Sequence, residues 1–288
     1  MRLFGKYLSI LFRSQMQYRT SFLLMSFGQF FIPLTVFAGL YFLFERFGQL
    51  EGWTFYEVAL VFAVIHMSFS ISECLSRGFD TFSSLVVSGD FDRLLVRPRS
   101  TVLQVLGSKF EFTRIGRLLQ SLLVLGWALS GLSVEWTLWK VIVLLLMIAS
   151  GTMIFAGIFI IMAALCFWTI QGLEVANVFT DGGREMSQYP LSIYQKWVTR
   201  FFTFVIPFGC VNYLPLMYIL DRPDLGGGGV GVVGGVGVVG GVGAVGAVGT
   251  VGGVPFAYSL APLAGFAFIV PCLLVWRFGV RHYRSTGS

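Results

Sequence analysis

Six stretches of the chain run for about the thickness of a bilayer with almost no charge, and that pattern excludes most folds before any other feature is weighed. A hydrocarbon core about 30 Å thick is crossed by roughly 20 helical residues. Inside it every backbone N–H and C=O must find its partner within the chain. The runs extend from about Phe22 to Phe44, Phe55 to Ser72, Leu118 to Val134, Val141 to Ile170, Phe201 to Leu220 and Ala257 to Trp276. Pro33 lies inside the first and predicts a kink rather than an end. The expected fold is all-α: one polytopic transmembrane domain over residues 1–288 with six transmembrane helices.

Composition supports the same reading. The 288 residues are 56% hydrophobic and 12% charged, with a mean hydropathy of +0.81. A soluble domain carries about twice that charge, and this chain has too few polar groups to cover a water-facing surface. The net charge of +6 needs no nucleic acid partner, because basic residues beside apolar spans are retained on the cytoplasmic side and face anionic lipid headgroups. The expected location is the plasma (inner) membrane.

Placing both termini in the cytoplasm puts every Lys and Arg except Arg46, Lys140 and Arg222 on the inner side, the asymmetry that fixes orientation. The inner residues are Arg2, Lys6, Arg13 and Arg19, then seven from Arg77 to Arg117, then Arg184, Lys196 and Arg200, and finally Arg277, Arg281 and Arg284. The outer segments are short and mildly acidic. Within residues 1–19, Phe4, Leu8, Leu11 and Phe12 alternate with Lys6 and Arg13, a spacing that suits either a helix lying in the membrane interface or a basic flank continuous with the first span. No removable signal peptide is expected. Residues Gly226 to Gly253 are a Gly/Val low-complexity run, a poor helix that reads as a flexible outer loop. A seventh, glycine-packed span there would move the C-terminus outside.

Chemistry is sparse. Cys74, Cys166, Cys210 and Cys272 stand far apart and indicate neither disulfides nor a metal site. No phosphate-cradling GxxxxGK[ST] loop occurs. His66 is the one titratable side chain well inside a span, with Glu57 and Glu73 near the ends of the same helix, and it reads as a histidine satisfied by a hydroxyl such as Ser68 or Ser70. Ion coupling therefore lacks its usual groups. Glu174, Asp181, Arg184 and Glu185 read as a continuation of the cytoplasmic interface, or else as the polar cluster of a membrane-embedded enzyme. No catalysis, cofactor or metal is expected of this subunit; the competing class is a secondary transporter or channel working without ATP.

The informative segment is the inner connection over residues 73–117. It carries Phe79, Phe82, Phe91, Leu94 and Leu95 among arginines, which a merely solvated loop does not need. Such a surface docks on a partner, or else packs on the membrane interface or on the chain's own helix ends. Gly89-Asp90-Phe91-Asp92-Arg93-Leu94-Leu95-Val96-Arg97-Pro98 resembles the G-x-F/L-D-x-L-L-x-R-P signature of the permease subunits of type-two ABC exporters. Tyr189-Pro190-Leu191-Ser192-Ile193-Tyr194, Val205-Ile206-Pro207-Phe208 and Tyr213-Leu214-Pro215 are similar to the branch that includes daunorubicin-type efflux permeases. The Gly/Val run departs from that pattern.

The resemblance implies separate ATPase subunits bound at this segment, a second permease, identical or related, and export of an apolar or amphipathic substrate. It implies roles for Gly89 to Pro98 as the ATPase-coupling element. Arg93 and Arg97 orient docking through carboxylates, Asp90 and Asp92 meet basic side chains or cap a helix, Phe91, Leu94 and Leu95 fill a groove, and Pro98 stops the element.

Overall fold

The computed structural model describes residues 2–169, 173–222, 250–251 and 254–283. In chain order the first helices are α1 (Arg2–Met16), α2 (Arg19–Phe47), α3 (Phe55–Asp80), α4 (Phe82–Val87), α5 (Asp90–Leu95) and α6 (Thr101–Leu106). There follow α7 (Ile115–Gly131), α8 (Leu138–Leu165), α9 (Leu173–Ser187), α10 (Lys196–Phe204) and α11 (Leu214–Leu220), and last α12 (Ala257–Leu260) and α13 (Leu263–His282). Thr250–Val251 and Val254–Pro255 form a two-residue antiparallel ladder. The rest of the 226–253 run lies outside the described residues.

Four helical segments among the described residues are long and apolar enough to cross a bilayer, or five if α10 and the following bent stretch count as one. They are α2, α3 with its continuation α4, α8, and α12 with α13. The chain is therefore an all-α membrane protein. α2 continues through Pro33. α3 starts where the Thr54 N–H donates to Glu57 Oε2 at 2.7 Å, the backward half of a capping box that satisfies a donor the helix itself leaves open. α1 is a helix of its own, separated from α2 at Gln17–Tyr18. Gln15 donates to the Phe110 carbonyl at 2.6 Å and accepts from the Phe112 N–H, so α1 is tied to the segment that leads into α7.

The bundle has two recognisable ends, named here for Trp53 and Asp80. α2 begins at the Asp80 end, where Gln29 accepts from Arg117, and reaches the Trp53 end with Phe44 against Phe55. α7 starts beside Glu73 and brings Trp127 to Phe55 at 5.5 Å. α8 starts at the Trp53 end, where Lys140 pairs with Asp221, and α13 finishes at the Asp80 end with Trp276 on Phe79 and Phe82. Two apolar cores follow this division. One holds Trp53, Phe62, Met147 and Leu216; the other holds Phe79, Phe91, Phe155 and Trp276.

The expected fifth span, Phe201 to Leu220, is not a single helix. α10 and the Gly209–Leu220 stretch meet at an 85° bend. Before α10 begins, Ser192 already accepts from Trp53 Nε1 at 3.0 Å; after α11 ends, Arg222 pairs with Glu57 at 2.9 Å. A chain that touches the same end of α3 at both residues does not traverse the bundle between them. The cause is local. Pro207 lies in the break and lacks the N–H that a continuing helix needs, and Gly209–Tyr213 forms a π-helical turn whose Asn212 donates to the Ser187 carbonyl at 3.0 Å.

The traverse is made instead by α9, which runs antiparallel to α3. Arg184 lies over the Phe69 ring at 4.9 Å, and Gln188 Oε1 is 3.2 Å from His66 Nε2. The cluster read as a cytoplasmic interface is thus drawn along the flank of α3, and Lys196 and Arg200 move to the Trp53 half of the molecule. α9 is amphipathic rather than apolar, and for that reason hydropathy passes over it.

Candidate functional site

The connection between α3 and α7 is a folded element built on aromatic rings. α3 gives way to α4 at Thr81, and Ser88–Gly89 then turns the chain into α5. Gly89 holds φ +71°, a left-handed conformation that costs a side chain energy and glycine little. Phe82 and Phe91 meet edge-on at 4.9 Å, with Phe167, Trp276 and Tyr283 closing around Phe91 at 5.1 to 6.3 Å. Trp276 Nε1 donates to Thr101 Oγ1 at 3.1 Å, and Gln104 donates to the Leu94 and Arg99 carbonyls. α4, α5, α6 and the end of α13 therefore form one packed unit.

That packing corrects the expectation for Phe91. Its side chain is fully buried within this chain, so it is unavailable as an anchor in a partner's groove and serves to fix α5 on Phe82 and Trp276. Leu94 is half-buried and packs on the same core. What remains open is a short strip in which Arg93, Leu95, Val96, Arg97, Pro98 and Arg99 are all exposed, Val96 to 85%. Asp90 accepts from Arg93 at 3.1 Å and from Ser88 Oγ at 2.9 Å. Both Asp90 and Asp92 sit in the first turn of α5, where the helix dipole favours them. Burial raises the Tyr283 phenol above its ordinary value, and the adjacent Asp92 carboxylate adds to the effect. The outward face is cationic with an apolar centre.

Behind this unit lies an ionic cluster that sequence reasoning passed over. Glu73 is buried on α3. Its Oε2 accepts from Arg117 at 2.6 Å and its Oε1 lies 3.2 Å from Arg114. Arg77 stands 4.0 Å from the same carboxylate, 3.7 Å from Glu111, and in contact with Asp80. Arg117 also donates to Gln29 at 3.0 Å and lies 5.3 Å above Phe69. Arg184 is paired with Asp181 and Glu185 at 3.0 and 2.7 Å. The available signal was the concentration of arginines at 77, 114 and 117 around one acid at the end of an apolar run, since a carboxylate there needs a cation.

His66 finds a different partner from the one expected, and only through Nε2. Its partner is Gln188, whereas Ser68 and Ser70 donate to backbone carbonyls of the helices. A lone histidine held by an amide offers no relay geometry along α3.

The family described as ABC-2 family transporter protein matches residues 30–287. The chain therefore belongs to that family and is a type-two ABC transporter permease. Members are multi-pass membrane transport components, generally without catalysis of their own and generally partnered with ATP-binding subunits. No curated protein and no solved structure matches the chain.

Proposed function

We propose that this permease works with a separate ATPase that docks on the exposed strip of α5 and its exit turn, and that ATP hydrolysis on that partner drives export. The observation that carries the reading is the division within the Gly89 to Pro98 segment. Its aromatic residue is locked inside the chain, while Arg93, Leu95, Val96, Arg97 and Pro98 are presented outward on a rigid base. Apolar centres ringed by charge give affinity and orientation to protein contacts. Arg93 and Arg97 are suited to partner carboxylates, Leu95 and Val96 to a shallow apolar groove. Gly89, Phe91 and Leu94 hold the strip in place, with Asp90 and Asp92 stabilising the start of α5. Pro98 ends it.

In this reading the bundle crosses the plasma membrane six times, by α2, α3, α7, α8, α9 and α12–α13, with the bent α10–α11 stretch returning to the outer side. Both termini are cytoplasmic, because the Asp80 end carries the greater share of Lys and Arg, and α1 lies at that interface. A second permease, identical or related, completes the path, and the abundance of phenylalanine suits an apolar or amphipathic cargo of the kind the daunorubicin-type branch exports.

The test is association. With Val96→Asp and Arg97→Glu combined, both on exposed positions, the permease stays folded by size-exclusion chromatography while the ATPase that co-purifies with it falls at least tenfold. Undiminished co-purification of the ATPase with that variant would sink the assignment.

A further inference from the structure

We propose that the Glu73 carboxylate is the joint through which movement of the α4–α6 unit reaches the helices of the bundle. The proposal rests on the docking reading above and deepens it by naming the residues that transmit.

Arginines reach Glu73 from both sides of the connection. Arg77 stands on the last turn of α3, just before the chain departs for α4; Arg114 and Arg117 stand where it returns into α7. One carboxylate thus grips both ends of the excursion, with Oε1 facing Arg77 and Arg114 and Oε2 facing Arg117. From Arg117 the contacts continue to Gln29 on α2 and, through the Phe69 ring that Arg184 also overlies, to α9. Through Arg117 and Phe69 this acid is linked to α2, α7 and α9 as well as to its own helix.

Towards the docking strip the contacts are equally continuous. Gln104 of α6 holds the Leu94 and Arg99 carbonyls. α6 lies against α3 so closely that a Cβ built on Gly78 collides with the Val105 carbonyl oxygen. Further on, the Glu111 N–H donates to the Cys74 carbonyl at 3.3 Å. A push on α5 is therefore delivered at Gly78 and Glu111, one turn from Glu73.

A joint also needs two arrangements, since coupling requires an element whose equilibrium both sites bias. Arg77 supplies one. It contacts Asp80 and stands 4.0 Å from Glu73 on its own helix while reaching Glu111 across the gap at 3.7 Å, so movement of the Glu111 segment against α3 makes or breaks the Glu111 contact while the pairings on α3 persist. A salt bridge that only stabilised the fold needs neither this sharing nor contacts on both ends of the excursion.

The experiment uses the permease purified with its ATPase in nanodiscs, spin-labelled at Ser84→Cys on α4 and Ser130→Cys on α7 in a Cys74→Ser background. ATP with vanadate is expected to shift the label-to-label distance distribution. In Glu73→Gln with Arg117→Gln, a neutral pair that retains shape and hydrogen bonding, the shift is abolished while the ATPase stays bound and hydrolyses ATP within twofold of the unmutated complex. Arg117→Lys keeps the charge but gives up the simultaneous grip on Glu73 and Gln29; a reduced shift there supports the joint should the neutral pair fail to fold. A full shift in either variant overturns the proposal. So does loss of the ATPase from the neutral pair, which makes the cluster a support for the docking surface only. Failure of the ATPase to co-purify with the unmutated chain instead removes the docking reading, and the joint with it.

Discussion

α2 and α3 are comparably apolar, yet 17% of α2's most apolar window is buried against 78% of that of α3. Hydropathy measures what a helix tolerates around it, and lipid and protein interior are alike in that respect. The difference lies in side-chain size and polarity. The half of α3 towards Asp80 interleaves Ser68, Ser70, Ser72, Glu73 and Ser76 with its aromatics, and all five are buried. Small hydroxyl residues let neighbours approach and bond across, as Ser68 does to the Ile148 carbonyl of α8 at 3.0 Å. α2 presents Leu23, Leu24, Phe27 and Phe42 outward, side chains with no group to bond. A buried centre and a greasy rim thus share one hydropathy profile.

The sharpest way to break that contrast is to add bulk where α3 has no room. Gly78→Val forces a side chain into the Val105 carbonyl, whose backbone lies within α6 and has little freedom to retreat. Overpacking against backbone falls in the exceptional class of destabilisation above about 4 kcal/mol, and little monodisperse protein should survive detergent extraction and size exclusion. Recovery of this variant at unmutated yield contradicts the close packing of α3 on α6.

A milder probe removes a ring from each helix. Phe62 is fully buried on α3 and stacks on His66 at 4.0 Å; Phe62→Ala should cost about 3–5 kcal/mol through lost packing and a cavity. Phe27 on α2 is 64% exposed, and Phe27→Ala should stay within about 0.5 kcal/mol. Thermal unfolding in detergent, followed by intrinsic fluorescence, separates the two. Equal losses would mean that the outward face of α2 is packed as tightly as the core.

How much of this was legible beforehand follows from the same physics. Four long apolar helices and α7 appear where charge-free runs place them. α9 was missed because Asp181, Arg184 and Glu185 look like an aqueous surface in isolation. In the fold Arg184 is neutralised by its two neighbours and lies against Phe69, a compensation that depends on a helix more than a hundred residues away. The apolar run of 201–220 reads as a span in sequence because apolarity does not report direction, and Pro207 with the π-helical turn after it reverses the path. Phe91 was misjudged for a related reason: its partners Phe82, Phe167, Trp276 and Tyr283 come from three separate stretches of chain.

The smallest effect expected runs in the opposite direction and sharpens the comparison most finely. A Cβ built on Gly28 of α2 meets no atom within 4 Å, so alanine enters without displacing anything. Alanine also loses less backbone freedom than glycine when a helix forms, worth up to about 1 kcal/mol at an exposed interior position. Gly28→Ala should therefore leave the fold unchanged and raise the unfolding midpoint by a degree or so, roughly what such an increment yields in a large domain. The same substitution at Gly78 should lower it, because there the Val105 carbonyl occupies the space. A loss of stability at Gly28 would show that the outer face of α2 is closely covered in the assembled transporter, and that its exposure belongs to the single chain alone.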